Sequence, residues 1–308
     1  MRDDFVAELA ELAATDERVV LLTGDLGYMV LDVFSSRFPE RFFNVGVAEQ
    51  NMVGIATGLA EAGYVPFVYS IATFATMRPY EFVRNGPVLH NLPVRVVGVG
   101  GGFDYGHNGI THFALEDYAL MRAQPGMTVL APADSAQARA AVQATRELPG
   151  PVYLRIAKQG TPVPGLNGRF ATGRAQLIGE GSDVALIAIG SIAREAQQAA
   201  ELLAEEGVAA TVAVVSTFNP SPVEDLVELL SGVSLAISVE THYLNGGLGS
   251  LVAETIAEQG LSCRLIRAGV QDTPRGLAGS QRFLEDRFGL SAGRLAATVQ
   301  AALDAAPV

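Results

Sequence analysis

Phe42-Phe43-Asn44-Val45-Gly46-Val47-Ala48-Glu49-Gln50-Asn51-Met52-Val53-Gly54-Ile55-Ala56 sets one acidic side chain where a short apolar run ends and a helix of small residues begins. A buried carboxylate is costly unless it is paired or hydrogen-bonded. Glu49 therefore either caps the free N–H groups and positive dipole end of the helix, or is held there for chemistry. The segment is also one step in a series. Residues 19–22, 41–45, 65–69 and 94–99 have the apolar, β-branched character of strands, and 51–61, 79–89 and 135–146 have helical periodicity. Continuous apolar strands alternating with helices imply parallel sheets covered on both faces.

A further strand is expected at 151–155, after which Gln159-Gly160-Thr161-Pro162-Val163-Pro164-Gly165-Leu166-Asn167-Gly168 breaks all periodicity. A second strand series follows at 183–190, 211–215, 235–239 and 264–266. The expectation is an α/β protein of two consecutive domains, each a mostly parallel sheet flanked by helices, at 1–160 and 181–308 with a linker at 161–180.

The chain has 308 residues, 49% hydrophobic and 18% charged, enough apolar material for two cores. Acidic residues outnumber basic ones 33 to 21, and no Lys/Arg cluster occurs, so neither nucleic acid nor an anionic membrane surface is an expected partner. Met1-Arg2-Asp3-Asp4 runs into an amphipathic pattern (Phe5, Leu9, Leu12) without the basic start and apolar core of a signal peptide. No apolar stretch approaches the roughly 20 residues of a membrane span. The single cysteine, Cys263, excludes an internal disulfide and fits a cytoplasmic setting, with the thiol as a small core residue.

Ligands of open parallel sheets sit at the carboxyl ends of strands. Asp25, Glu49, Phe74 and the loop Gly100-Gly101-Gly102-Phe103-Asp104-Tyr105-Gly106-His107-Asn108-Gly109-Ile110-Thr111-His112 each follow one of the first four strands, so they are expected on one rim. With Glu116-Asp117 and the segment Pro125 to Asp134, these stretches resemble the pyrimidine-binding half of transketolase and its thiamine-diphosphate relatives.

The resemblance covers nearly the whole chain and implies a cofactor, thiamine diphosphate, that carries the carbon–carbon chemistry while the protein supplies geometry and proton control. Glu49 matches the family's glutamate against N1′ of the aminopyrimidine, and Phe74 the aromatic that stacks on it. Met77 and Tyr80 stand where the aromatic cluster continues, and Asp25 lies on the cofactor side of the rim. Gly109-Ile110-Thr111-His112 is similar to a Gly-Pro-Thr-His motif with Ile110 in place of proline, which implies that His112 contacts substrate and shuttles a proton. Asn108 takes the place of an aspartate that recognises a donor hydroxyl, while Arg155 and Arg2 match positions that clamp a sugar phosphate. Met29 replaces the serine that joins that clamp, so an atypical or differently held donor tail is expected.

The diphosphate and Mg2+ motif of these enzymes, Gly-Asp-Gly with a later Asn, is imitated by Gly24-Asp25-Leu26 and Asn51 but not met, so no metal ligand is assigned to this chain. The resemblance thus implies the C-terminal subunit of a split transketolase, transferring a two-carbon ketol unit from a ketose to an aldehyde-type acceptor. It would be active with a separate N-terminal subunit that holds the diphosphate and Mg2+, and would self-associate, as in an α2β2 assembly. A 1-deoxyxylulose-5-phosphate synthase-like or 2-oxoacid dehydrogenase beta-like subunit, or a non-catalytic paralogue, remains the alternative. Glu240-Thr241-His242 and Gly246-Gly247-Leu248-Gly249 look like the family's C-terminal domain and have a structural reading, since neither a P-loop nor a GxGxxG spacing is present.

Overall fold

The computed structural model of the chain describes residues 1–305. Strands β1 (Val19–Thr23), β2 (Phe42–Asn44), β3 (Val65–Ile71), β4 (Arg95–Val99), β5 (Thr128–Leu130) and β6 (Val152–Ile156) run parallel, in the order β5-β6-β4-β3-β1-β2. A second sheet holds β7 (Ala175–Ile178), β8 (Val184–Ile189) and β9 (Ala210–Val215), while β10 (Thr217–Asn219) leaves it to pair antiparallel with β5. With β11 (Leu235–Tyr243) and β12 (Arg264–Val270) the second sheet reads β12-β11-β8-β9-β7, parallel except for β7. Two mostly parallel α/β sheets are the expected architecture.

The helices are α1 (Arg2–Thr15), α2 (Asp32–Arg37), α3 (Glu49–Glu61), α4 (Ala72–Met77), α5 (Tyr80–Val83), α6 (Asp117–Arg122) and α7 (Ser135–Thr145) around the first sheet. Around the second are α8 (Ala193–Glu205), α9 (Val223–Ser231), α10 (Leu248–Gln259), α11 (Gln281–Arg287) and α12 (Ala292–Asp304). On one face of the first sheet, α1, α2 and α7 bury Phe5, Leu9, Phe34 and Val142. On the other, Met52 and Val53 of α3 and Met121 of α6 join a core that continues into the second domain through Ile187, Leu226 and Leu248. Every residue of β1, β4, β6 and β8 is buried, which is why these strands read as unbroken apolar runs.

Three details depart from the sequence expectation. The stretch 161–180 contains β7, whose half-buried residues seal the edge of the second sheet. The helix expected at 79–89 shortens to α5 and a π turn over Arg84–Val88, because Pro87 lacks the N–H that a regular helix needs. β5 and β10 were not expected as strands, and their three-residue lengths leave too little periodicity to detect. Cys263 is buried, and burial pushes its thiol up, as suits a core residue.

Candidate active site

Because β4, β3, β1 and β2 are adjacent and parallel, the segments that follow them emerge along one edge. Glu49 opens α3 with Ala48 before it, a residue with no capping side chain. The Glu49 carboxylate is only 2% exposed and is held by side chains from other elements. Ser70 Oγ, near the end of β3, donates to Oε1 at 3.1 Å. Arg78 Nη1, at the α4–α5 junction, donates to Oε1 at 3.0 Å and to Oε2 at 2.9 Å. The partners are those of a carboxylate presented to the rim. A side chain at Gly24 would lie 3.6 Å from Oε1, so the loop after β1 rests against the same carboxylate.

From Glu49 a line of contacts runs along the edge. The Arg78 guanidinium carbon sits 3.8 Å from the centroid of the half-buried Phe74 ring. Phe74 meets His112 edge-on, with ring centroids 5.2 Å apart at 65°. Thr111 Oγ1 is 3.0 Å from His112 Nδ1 and orients the imidazole. Tyr105 lies 6.3 Å from His112, and the exposed Lys158 places Nζ 4.6 Å from the Tyr105 centroid. Asp104 accepts the Lys158 backbone N–H at 2.8 Å, and burial pushes its carboxyl up to about 6. The structure therefore brings Glu49, Phe74 and His112 together, as expected from their strand ends.

The remaining sequence-derived positions divide. Asp25 is an exposed loop tie: Asn44 Nδ2 donates to its Oδ1 at 3.1 Å and Tyr28 Oη at 2.9 Å, and these bonds hold its carboxyl below the ordinary range. Asn108 is exposed on the turn before His112. Met77 is 43% exposed at the end of α4, its sulfur accepting from Thr73. Tyr80 commits its hydroxyl to α6, donating to Leu120 O at 2.9 Å. Arg2, half-buried at the start of α1, is close enough for its charge to oppose the upward push that burial gives the Tyr105 hydroxyl.

Arg155 does not present its charge to the rim. It is buried where the domains meet, its Nη2 donating to Thr241 O at 2.9 Å, its Nη1 3.4 Å from Asp117 Oδ1, and its guanidinium 4.2 Å from the Tyr118 ring centroid. Tyr153 Oη donates to the other oxygen of Asp117 at 2.6 Å. The Gly-rich loop closes over this arginine, since a Cβ at Gly101 would fall 1.7 Å from its Nε. A strand side chain pointing into a domain junction is used by the junction.

Sequence reasoning missed Arg78, Ser70 and Lys158. Lys158 was accessible by the strand-end rule already applied to the other residues, because it follows β6. Arg78 stands four residues beyond Phe74, a spacing that puts two side chains on one helical face. In the loops after β1 and β2, large apolar side chains face outward: Met29 is 89% exposed, Tyr28 73% and Val47 70%. Among the described residues no group of three His, Cys, Asp or Glu converges as a metal site, and no helix is long and apolar enough to cross a membrane.

The family model for the transketolase pyrimidine-binding domain matches residues 1–164, and that for the transketolase C-terminal domain matches residues 173–295. The chain is 37% identical over 300 residues to a putative transketolase C-terminal section of Methanocaldococcus jannaschii, covering 96% of this chain and 94% of the relative. It is 38% identical over 294 residues to the 6-deoxy-6-sulfo-D-fructose transketolase subunit SqwH of Clostridium sp. strain MSTE9, covering 95% and 91%. A solved structure of a split-gene transketolase, an inactive beta4 tetramer, superposes with a TM-score of 0.89 at 37% identity, covering 98% of this chain and 97% of that one. The chain belongs to the transketolase family, with the two-domain make-up of its separately encoded C-terminal subunits.

Proposed function

We propose that this chain supplies the pyrimidine side of a thiamine-diphosphate-dependent site that transfers a two-carbon ketol unit from a ketose to an aldehyde-type acceptor. The observation that carries the reading is the buried Glu49 carboxylate, held at the sheet edge beside an aromatic face and an imidazole. The residues fit the cofactor's pyrimidine end. A flat group with N–H donors already stacks on Phe74 and donates to both Glu49 oxygens, namely the Arg78 guanidinium, so the space between ring and carboxylate accepts that shape.

Thiamine diphosphate, when bound, supplies the nucleophilic carbon for making and breaking bonds next to a carbonyl. Glu49 would hold a proton at N1′ of the aminopyrimidine, and its buried setting keeps bulk water from competing for that proton. Ser70 keeps one oxygen of the carboxylate fixed. Phe74 would bear the ring, with Met77 beside it and Asp25 tying down the loop that borders Glu49. His112, oriented by Thr111, would exchange a proton with a substrate hydroxyl or carbonyl oxygen, and Asn108 would offer its amide to a donor hydroxyl. At the far end Lys158, with Arg2, would attract an anionic tail. A sulfonated or phosphorylated ketose has such a tail, and the sulfo-sugar relative is named for one.

The reading includes a partner. The diphosphate and Mg2+ would be held by an N-terminal transketolase subunit, whose arrival would cover the apolar side chains exposed in the loops after β1 and β2. Two copies of each subunit, in the cytoplasm, complete the proposal. The test mixes this chain with such a subunit, thiamine diphosphate and Mg2+, and measures ketol transfer from anionic ketoses. Activity only in the mixture is the expected outcome. Full turnover by the chain alone would overturn the split site, and turnover with pyruvate as the preferred donor would move the chain to the synthase-like chemistry.

A further inference from the structure

We propose that Arg78 is a stand-in for the cofactor's aminopyrimidine: its guanidinium fills the slot between Phe74 and Glu49 until the ring displaces it. This deepens the functional reading of the same site and rests on it. Three features of the geometry meet in one side chain. The guanidinium carbon lies 3.8 Å from the Phe74 centroid, a stacking distance. Its Nη1 serves both oxygens of Glu49, at 3.0 and 2.9 Å. Its side chain is nonetheless 42% exposed, whereas the carboxylate that it covers is 2% exposed.

An aminopyrimidine protonated at N1′ shares recognition elements with a guanidinium: a flat face for an aromatic ring and an N–H that a carboxylate can accept. The two groups need the same face of Phe74 and the same oxygens of Glu49, so they exclude each other. His112 packs against Phe74, and Ser70 donates to Oε1, so the slot is bounded on both sides by groups that stay in place. The stand-in has a physical purpose. A buried carboxylate facing an open slot would otherwise be left with one hydroxyl partner, and an uncompensated buried charge is costly. Because Arg78 reaches the slot from the α4–α5 junction with its outer face in water, it can leave by side-chain rotation alone. Its presence lowers the apparent affinity for the ring by the fraction of molecules in which the slot is filled.

The experiment uses the chain as it is, labelled with 15N-arginine. The Nε–Hε signal of Arg78, assigned by its loss in R78Q, should carry a ring-current displacement from Phe74. The probe is 4-amino-5-(hydroxymethyl)-2-methylpyrimidine, which has the pyrimidine without the diphosphate and so does not need the partner subunit. On titration the Arg78 signal should move to the position of solvent-exposed arginines. R78Q should bind the probe about 5- to 10-fold tighter than the parent chain, with R78K, which keeps the charge and loses the flat fork, in between. Equal or weaker binding by both variants, or an Arg78 signal that does not move as the probe saturates, would overturn the stand-in while leaving the functional reading in place. Binding by neither parent nor variants would overturn both.

Discussion

Glu49 and Glu240 are both buried where a strand hands over to a helix, yet they are held by different kinds of partner. Glu240, on β11, takes the backbone N–H groups that open α10, Leu248 N at 2.7 Å and Gly249 N at 2.8 Å. The chain is packed so closely there that a Cβ at Gly247 would fall 1.8 Å from its Oε2. Glu49 is held by a hydroxyl and by an arginine with a partly exposed side chain. Backbone donors cannot leave without unfolding the helix end, whereas side-chain donors can. The first arrangement anchors a fold, and the second leaves the carboxylate with partners that another ligand could replace, as the proposed function requires. The same contrast appears three residues apart at the end of β6, where Arg155 is locked at the domain junction and the Lys158 side chain is exposed.

If the contrast is right, substitutions on the rim should cost activity and substitutions in the junction should cost stability. The largest effect is expected from E49Q, which in the assembled enzyme should slow exchange of the cofactor's C2 proton by on the order of 10²–10⁴ with an unchanged melting temperature. An unchanged exchange rate would remove Glu49 from proton control.

R155M should do the reverse. It leaves Asp117, 1% exposed, with Tyr153 as its remaining close partner. The expected loss is about 3–5 kcal/mol of stability, as for a broken buried ion pair, read as a lower urea midpoint. A well-folded R155M with a selectively raised KM would return Arg155 to the substrate.

E240Q should cost less, about 1–3 kcal/mol for one helix N–H left without its acceptor. It also carries a pH signature. Burial pushes the Glu240 carboxyl up to about 7 from the ordinary 4.5, against the downward pull of the two N–H groups. Between those values the unfolded chain releases a proton that the folded chain keeps, so the contribution is whole below 4.5 and is lost as pH rises through about 7. The stability difference between parent and E240Q should therefore shrink from pH 5 to pH 8. A difference that stays level over that range would mean that Glu240 is ionised throughout.

The smallest effect is expected at Lys158. K158Q should raise KM for an anion-tailed donor by roughly 10-fold, about 1.4 kcal/mol, with kcat nearly kept. A matched neutral donor should be unaffected, and equal losses for both donors would assign Lys158 a structural task.

Much of this division was legible in the chain itself. Apolar runs alternating with helices specified two mostly parallel sheets, because strands buried on both faces leave no polar alternation. The strand-end rule then put Glu49, Phe74 and the Gly-rich loop on one edge, since that edge follows from strand direction alone. Which partner each charge takes was decided in three dimensions. Arg78 reaches Glu49 across 29 positions, and Arg155 reaches Thr241 across 86. β10 leaves the second domain's strand series to pair with β5 of the first. Periodicity reports which face of an element is buried, but a hydrogen-bond partner brought from another element depends on how the sheets stack, so only the tertiary structure separates the arginine that pairs with Glu49 from the one that joins the domains.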